Sequence, residues 1–223
     1  MVSSDKPPIL SIELPEAIAA AVEALQQGEI IAYPTDTLYG VGGDALSPDA
    51  ALRVHEAKGR EAGKGFPVLL ASSDQVPQLA LEWPEVAQRL AARFWPGALT
   101  IVVPSRPEVP ELVRAGATVA LRVPGYAPIR QVIAQAGRPL IGTSANRSGR
   151  PPALTAIEAA RELGRSVRLV LDGGRTGGAP STVVAVEGAT VRVIRAGAVS
   201  QPELEATLAG LGVRLLPAEP PMG

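Results

Sequence analysis

The chain has 223 residues, with 21 basic and 22 acidic side chains and a formal net charge of −1. This length allows one large domain with a substantial core, and the balanced charge argues against a protein that binds nucleic acid by bulk charge alone. Because the chain has no cysteine, disulfides, thiolate nucleophiles and cysteine-based zinc sites are excluded. The single histidine, His55, cannot supply a histidine-rich metal cluster.

The N-terminal segment at 1–8 is polar and contains prolines, and it lacks the apolar stretch of a signal peptide. No apolar run approaches the roughly twenty residues that a membrane-spanning helix needs. We therefore expect a soluble, cytoplasmic protein with no membrane contact.

Short apolar runs alternate with segments that have apolar residues at helical spacing. Gly28 is typical of the residue just beyond a helix, and Ser47 followed by Pro48 is typical of a helix start. In chain order, the first half is predicted to contain a strand at 9–14, a helix at 15–27, a strand at 29–33, a helix at 47–57, a strand at 66–71 and helical segments at 73–81 and 84–94.

The second half continues this alternation and adds two capping boxes, at Thr155 with Glu158 and at Ser200 with Glu203. Helix-bridged and hairpin connections together predict one α/β domain with a mixed, twisted sheet. The predicted elements are a strand at 99–103, a loop at 104–116, a strand at 118–123, a helix at 127–135, a strand at 139–142, a helix ending at Gly164, a strand at 167–171, a hairpin of strands 181–186 and 190–194, a last helix after Ser200 and a proline-rich tail at 212–223.

The segment at 32–44 has more polar chemistry than a turn needs. It follows an apolar strand, and Pro34 should end or kink that strand because proline fixes φ and removes an amide donor. Gly40, Gly42 and Gly43 permit close approaches of the backbone that a Cβ would forbid. A plain hairpin needs only a short turn, so we interpret this segment as one wall of a binding site.

Basic residues are nearly all arginine, and the lysines are Lys6, Lys58 and Lys64. Lys58 and Arg60, with Lys64 nearby, lie where the chain leaves a predicted helix. A compact ammonium beside a planar guanidinium suits a polyphosphate. The alternative is a solvated helix end, where cations complement the helix dipole.

A second polar loop, at 142–146, follows the strand at 139–142. Its small side chains let a ligand approach the backbone while Thr, Ser and Asn offer donors and acceptors; the alternative is an ordinary polar turn. The phosphate-binding pattern Gly-x-x-x-x-Gly-Lys-Ser/Thr does not occur in the chain. Arg122, at a strand end, can reach a carboxylate with two hydrogen bonds. Each of three candidate residues also has an ordinary structural explanation. Arg122 is compatible with a rim position, Ser181 with the start of a strand, and Arg195 with an exposed surface position.

These motifs are far more specific in combination than singly, and most of them lie where strands give way to loops. Together, over residues 12–200, they resemble the YrdC/Sua5 family, whose best-known mark is the pairing of Lys-x-Arg with Ser-x-Asn. In chain order the motifs are Tyr33-Pro34-Thr35-Asp36-Thr37-x-Tyr39-Gly40, Lys58-x-Arg60, Arg122-x-Pro124, Ser144-x-Asn146-x-Ser148-Gly149, Asp172-Gly173-Gly174, Ser181-Thr182 and Arg195-x-Gly197.

The resemblance implies a YrdC-like α/β fold, a twisted open mixed sheet with flanking helices and a concave, positively charged cleft. It implies a nucleotidyltransferase that joins L-threonine, bicarbonate and ATP into threonylcarbamoyl-adenylate and pyrophosphate. The implied partners are proteins that transfer the group to adenosine 37 of tRNA, with tRNA itself contacted indirectly or weakly. Mg²⁺ is expected on the ATP phosphates rather than at a metal site of the protein.

The family's functional positions carry over to this chain residue by residue. Thr35, Arg122 and Ser181 match positions that hold threonine, with Arg122 suited to its carboxylate. Lys58 and Arg60 are the expected catalytic residues. The positions expected to serve the nucleotide are Arg60, Lys64, Thr118, Ser144, Asn146 and Arg195.

Two positions depart from the family pattern. Leu69 stands where some longer relatives carry a histidine near threonine, and Pro152 stands where a serine often occurs on the nucleotide side. We expect a catalytic domain at 9–200, followed at 201–223 by a helix and a proline-rich tail, without the separate C-terminal domain of Sua5-type members.

Two other functions are compatible with the same motifs. One is a YrdC-like paralogue that acts as an RNA-binding or accessory protein without synthase activity, since a concave positive face would serve it too. The other is a carbamoyl-transfer module of hydrogenase maturation, which is less consistent with this chain because such modules normally sit in a much longer multidomain protein.

Overall fold

Short strands and amphipathic helices alternate along the chain, as the apolar pattern predicts. The computed structural model describes residues 6–59, 63 and 65–218. The helices are α1 (Pro15–Gln26), α2 (Pro48–Lys58), α3 (Glu85–Phe94), α4 (Ala127–Ala136), α5 (Ala156–Leu163) and α6 (Gln201–Leu208). The strands are β1 (Ile9–Ser11), β2 (Ile31–Tyr33), β3 (Gly40–Gly42), β4 (Val68–Leu69), β5 (Leu99–Pro104), β6 (Thr118–Arg122), β7 (Leu140–Ile141), β8 (Thr143–Ser144), β9 (Val170–Asp172), β10 (Thr182–Glu187), β11 (Thr190–Arg195) and β12 (Arg214–Leu216).

The strands form two open, mixed sheets. One has the order β1-β9-β2-β3-β8 and the other β12-β11-β10-β5-β6-β4-β7. Parallel and antiparallel neighbours occur in both, for example β1 beside β9 and β2 beside β3 in the first sheet. The predicted mixed α/β fold with flanking helices is therefore confirmed, although the strands divide between two sheets rather than one.

The two sheets meet where β7 runs into β8. Gly142 alone separates these strands, yet β7 belongs to the larger sheet and β8 to the smaller one. Across the junction, the Ile141 amide donates to the Gly43 carbonyl at 2.9 Å. A Cβ on Gly42 would lie 1.8 Å from the Ile141 carbonyl oxygen. Only glycine at position 42 therefore allows the sheets to approach this closely.

Aliphatic side chains build the core, as the scarcity of aromatic residues requires. One buried cluster includes residues of both sheets, and a second is formed largely by α1 and α4 against β2 and β9. Leu204 and Leu208 of α6 are buried in the first cluster, so the described part of 201–223 packs on the main body. In the described residues, no helix is both long and apolar enough to cross a membrane.

Helix ends follow the predicted chemistry. Thr155 Oγ1 accepts from the Glu158 amide at 3.3 Å, and the Glu158 carboxylate accepts from the Thr155 amide at 3.2 Å. The Glu203 carboxylate likewise accepts from the Ser200 amide at 2.8 Å. Gly137 adopts a left-handed conformation with φ of 70° just beyond α4, as expected for a helix-terminating glycine.

Three local predictions were wrong. The strand expected at 66–71 is limited to Val68–Leu69, and the helix expected at 73–81 is a 3-10 segment at Ser73–Gln78 that contains Pro77. Proline lacks the amide that a longer α-helix would need there. The tail at 212–223 contains β12, which pairs in parallel with β11. Such long-range pairing is decided by tertiary contacts that a local pattern does not reveal.

We predict that Gly42→Ala lowers the free energy of unfolding by more than about 3 kcal/mol, because backbone atoms of both sheets would have to move. Gly177→Ala is the matched control, since its nearest neighbour, the Asp36 carbonyl oxygen, would lie 4.0 Å from the added Cβ. The control should remain within about 1 kcal/mol of wild type in chemical denaturation. Equal stability of the two variants would contradict this account of the junction.

Candidate functional site

A cavity of about 230 Å³ opens at the junction of the two sheets. Its wall is formed by the segment after β2, the end of β6, the start of β8 and the residues flanking β10 and β11. The predicted site residues among its lining are Thr35, Arg122, Ser144, Ser181 and Arg195. The structure thus brings together residues that are spread over 160 positions of the chain, from 35 to 195.

Arg122 is the central cation of the cavity. It is only 5% exposed, and it donates from Nε to the Gly97 carbonyl at 2.8 Å, from Nη1 to Thr37 Oγ1 at 3.0 Å and from Nη2 to Asp36 Oδ1 at 2.6 Å. Burial lowers the pKa of Arg122, and the neighbouring Asp36 carboxylate opposes that shift. A guanidinium carries one N–H on Nε and two on each Nη. Within the described residues, one N–H on each Nη therefore remains for a ligand.

The turn after β2 is shaped by the Thr35 hydroxyl. Thr35 Oγ1 donates to the Leu38 carbonyl at 2.7 Å and accepts from the amides of Thr37 at 3.1 Å and Leu38 at 3.2 Å. Since its one proton goes to Leu38, the Thr37 hydroxyl must be the donor in the 2.9 Å contact between the two side chains. The Thr35 side chain therefore fixes the turn that presents Asp36 and Thr37 to Arg122. Its predicted contact with threonine stays a prediction.

Ser181 and Arg195 form the opposite side of the cavity. The Ser181 hydroxyl lies 2.9 Å from Thr100 Oγ1 and accepts from Arg195 Nη2 at 3.1 Å. Arg195 also donates to the Ser181 carbonyl, at 3.2 Å from Nε and 2.8 Å from Nη2. Burial lowers the pKa of Arg195, and the charge of Arg122 lowers it further. Two guanidinium groups that repel each other across one cavity favour an anionic ligand between them.

Lys58 and Asn146 support the cavity wall from behind. Lys58 is 4% exposed and donates from Nζ to the Ser144 carbonyl at 2.6 Å and to the Asn146 carbonyl at 2.8 Å. The Asn146 side chain donates to the Arg147 carbonyl at 3.1 Å. Lys58 of the Lys-x-Arg motif is therefore in direct contact with the Ser-x-Asn motif. In this arrangement Lys58 positions the loop that carries Ser144.

The remaining nucleotide-side predictions are Arg60, Lys64 and Thr118. Arg60 and Lys64 are outside the described residues. Thr118 is at the start of β6, roughly 13 Å along the strand from Arg122, and its hydroxyl donates to the Ala115 carbonyl at 2.9 Å. Thr118 is not part of the cavity lining.

Thr118 lies close to Gly65, the described residue that follows Lys64 in the sequence. Gly65 packs so closely on the backbone of Arg114 that an added Cβ would lie 2.5 Å from the Arg114 carbonyl carbon. Thr118 and Ala115 exchange backbone hydrogen bonds next to that contact. Thr118 thus lies near Gly65, which follows Lys64 in the sequence.

The sequence alone indicates no specific role for Asp36, Tyr33, Tyr39 or Thr100. Tyr33 donates to the Ile141 carbonyl at the sheet junction, and Tyr39 donates to the Gly174 carbonyl at 2.7 Å. Both tyrosines line the cavity and brace its loops. No sequence signal links Asp36 to Arg122, because their positions differ by 86 residues.

Within the described part of the chain, no group of three or more His, Asp or Glu side chains is placed to hold a metal ion. The predicted Mg²⁺ on nucleotide phosphates stays a prediction.

The fold and cavity together define a mixed α/β protein with an arginine-lined cleft at a sheet junction. The family model that covers Sua5, YciO and YrdC proteins, described as "telomere recombination", matches residues 23–197. The chain belongs to this Sua5/YciO/YrdC family, which confirms the resemblance drawn from its motifs.

Curated relatives carry the name of one enzyme. The chain is 35% identical over 199 residues to threonylcarbamoyl-AMP synthase of Bacillus subtilis, covering 88% of this chain and 58% of that protein. It is 36% identical over 203 residues to threonylcarbamoyl-AMP synthase of Pyrococcus abyssi, covering 90% of this chain and 59% of that protein. It is 39% identical over 185 residues to a putative threonylcarbamoyl-AMP synthase of Mycobacterium tuberculosis, with 82% and 85% covered. The chain thus spans less than two thirds of the first two relatives.

Solved structures agree with the fold. P. abyssi Sua5 complexed with L-threonine has a TM-score of 0.86 at 35% identity, covering 93% of this chain and 62% of that one. E. coli YciO has a TM-score of 0.78 at 24% identity, covering 88% and 97%, and supports the fold alone.

We predict that the tyrosines ionise at higher pH in the native protein than in the unfolded chain. Burial raises the pKa of Tyr39 to about 12 from the usual 10.0, and burial also raises the pKa of Tyr33 and Tyr126. At pH 10, Tyr39 should be half ionised in the unfolded chain, whereas in the native protein it should stay mostly protonated. The unfolded state then holds fewer protons than the native state. Ionisation of Tyr39 should therefore leave the free energy of unfolding unchanged below pH 10 and lower it between pH 10 and about 12.

Ultraviolet absorbance of tyrosinate, followed with and without denaturant, measures the difference. Tyr39→Phe is the control and should show a smaller loss of stability over the same pH range. A native titration with a midpoint at the usual tyrosine pKa of 10.0 would show that these side chains are not buried as described.

Proposed function

We propose that the chain is a cytoplasmic threonylcarbamoyl-AMP synthase, a nucleotidyltransferase that condenses L-threonine, bicarbonate and ATP into threonylcarbamoyl-AMP and pyrophosphate. The observation that carries the proposal is the buried Arg122, which holds N–H groups towards a small polar cavity beside a second arginine, Arg195. Relatives that share this fold bear the synthase name, and one structural relative is complexed with L-threonine.

On the amino-acid side, the proposed partner of the threonine carboxylate is Arg122. A guanidinium matches a carboxylate through paired N–H donors, and the cavity of about 230 Å³ is large enough for one amino acid. Thr35 and Ser181 complete this side, Thr35 through the turn that it fixes and Ser181 through its hydroxyl. The amino group of threonine then attacks bicarbonate, a new N–C bond forms and water leaves, which gives a carbamate.

In the adenylation step, a carbamate oxygen attacks the α-phosphorus of ATP. The new P–O bond forms as the bond to the β-phosphate oxygen breaks, and pyrophosphate leaves. Both reactants are anions, so Arg122 and Arg195 would lower their mutual repulsion. Catalysis of this kind needs orientation and charge stabilisation rather than a covalent nucleophile, which suits a chain without cysteine.

On the nucleotide side, we propose that Arg60 and Lys64 bind the phosphates and that Lys58 fixes the loop of Ser144 and Asn146 against them. Mg²⁺ would bind with the ATP phosphates. Thr118 and Arg195 complete the proposed nucleotide set. The product would pass to transferase proteins that modify adenosine 37 of tRNA, with tRNA bound by this chain only indirectly or weakly.

The direct test is product formation. Purified protein incubated with ATP, Mg²⁺, L-threonine and labelled bicarbonate should release pyrophosphate and form a labelled adenylate, and both should require threonine. Omission of threonine gives the background. Pyrophosphate release that is absent, or that does not depend on threonine and bicarbonate, would reject the synthase and favour an accessory protein without synthase activity.

We predict that Arg122→Ala raises the KM for L-threonine about 10- to 100-fold, because a charge-assisted pair of hydrogen bonds contributes about 1.5–3 kcal/mol. The KM for ATP should change much less. Arg122→Lys keeps the charge but loses the paired donors, so it should also raise the threonine KM. Arg138→Ala is the control, because the Arg138 side chain is 61% exposed. A threonine KM unchanged in both Arg122 variants would remove Arg122 as the carboxylate partner.

A further inference from the structure

Asp36 follows Thr35 in the turn after β2, and its carboxylate lies against the central arginine of the cavity. We infer that Asp36 is a positioning residue, which sets the orientation of the Arg122 guanidinium and so controls the affinity for the amino-acid substrate. This inference rests on the proposed function for the identity of that substrate. The orientation itself can be measured without it.

The contact between Asp36 and Arg122 is short and charged. Asp36 Oδ1 accepts from Arg122 Nη2 at 2.6 Å, where the arginine side chain is 6% exposed and the aspartate side chain 23% exposed. Hydrogen bonds between ionised groups are among the strongest in proteins. The remaining fixed donors of Arg122 point to Gly97 and Thr37. The three acceptors belong to two separate loops, so together they fix the plane of the guanidinium.

Asp36 does not line the cavity itself. A carboxylate there would repel the carboxylate of an amino acid, so a direct contact with the substrate is unfavourable. Its negative charge instead favours the charged form of Arg122, which burial disfavours. Asp36 thereby keeps the buried arginine charged and in place while its own outer edge faces solvent.

The surrounding backbone is built to accommodate this carboxylate. An added Cβ at Gly125 would lie 2.9 Å from Asp36 Oδ2, so a larger residue at 125 would displace the aspartate. The Thr35 hydroxyl fixes the turn from within, and the Gly178 amide donates to the Thr37 carbonyl at 3.0 Å from outside. Arg122 and Gly125 are near neighbours in sequence, so one segment supplies both the cation and the space for its partner.

With asparagine at position 36, an uncharged amide oxygen remains as the third acceptor, so the hydrogen bond from Arg122 Nη2 is weaker and the guanidinium gains rotational freedom. Binding of a carboxylate would then have to reorder the guanidinium, which costs affinity. We expect Asp36→Asn, which preserves shape and removes charge, to weaken threonine binding about tenfold. The effect should depend on the presence of Arg122.

A double-mutant cycle tests this dependence. The Kd for L-threonine is measured by NMR titration, with a non-hydrolysable ATP analogue present, for wild type, Asp36→Asn, Arg122→Ala and the double variant. Asp36→Asn should raise Kd about tenfold in the wild-type background and less than about twofold in the Arg122→Ala background. Asp49→Asn removes an exposed carboxylate from the first turn of α2 and is the matched control. Its Kd should equal that of wild type.

An equal effect of Asp36→Asn in both backgrounds, or no effect in either, would overturn the inference. If wild type binds no threonine, the proposed function fails, and the inference is decided by the guanidinium signals of Arg122 in ¹⁵N NMR. Slowly rotating, distinct Nη–H signals in wild type and averaged signals in Asp36→Asn would support positioning. Identical signals in the two proteins, with thermal unfolding showing both to be folded, would overturn it.

Discussion

The structure of the site depends on one buried guanidinium and the acceptors that hold it. Arg122 is 5% exposed, and removing such a group from water is costly unless its donors are satisfied. Gly97, Thr37 and Asp36 each accept one hydrogen bond from it. The hydroxyl of Thr35 shapes the turn that supplies Asp36 and Thr37. The cavity thus has a cation of fixed orientation before any ligand arrives, which lowers the entropic cost of binding.

Hydrogen bonds also hold the other walls of the cavity in place. Lys58 ends α2 and donates to the carbonyls of Ser144 and Asn146, so the helix and the loop after β8 form one unit. Gly42 permits the two sheets to meet beside that loop. Ser181 connects Thr100 to Arg195 by hydrogen bonds. Each wall of the cavity is therefore anchored in a different part of the core, and the rigid scaffold positions side chains that lie on short loops.

The helix ends follow from local sequence, whereas the cavity does not. The capping box at Thr155 and the terminating glycine at Gly137 were predictable because helix-end chemistry is local. The cavity residues Arg122, Ser181 and Arg195 could be predicted together only through the family resemblance. The contact of Asp36 with Arg122 and the pairing of β12 with β11 were not predictable, because each joins segments distant in sequence. Lys58 is expected to help fix the phosphates and the site; its described hydrogen bonds hold the loop of Ser144 and Asn146, and its role at the phosphates stays a prediction.

The central claim is that Arg122, held in place by its three acceptors, is the group that binds the carboxylate of L-threonine. A crystal structure of the protein with L-threonine and a non-hydrolysable ATP analogue tests it most directly. The predicted result is a threonine carboxylate that accepts from the Nη groups of Arg122 while the bonds to Gly97, Thr37 and Asp36 persist. A carboxylate bound elsewhere in the cavity, or an Arg122 that leaves Asp36 to reach it, would contradict the account.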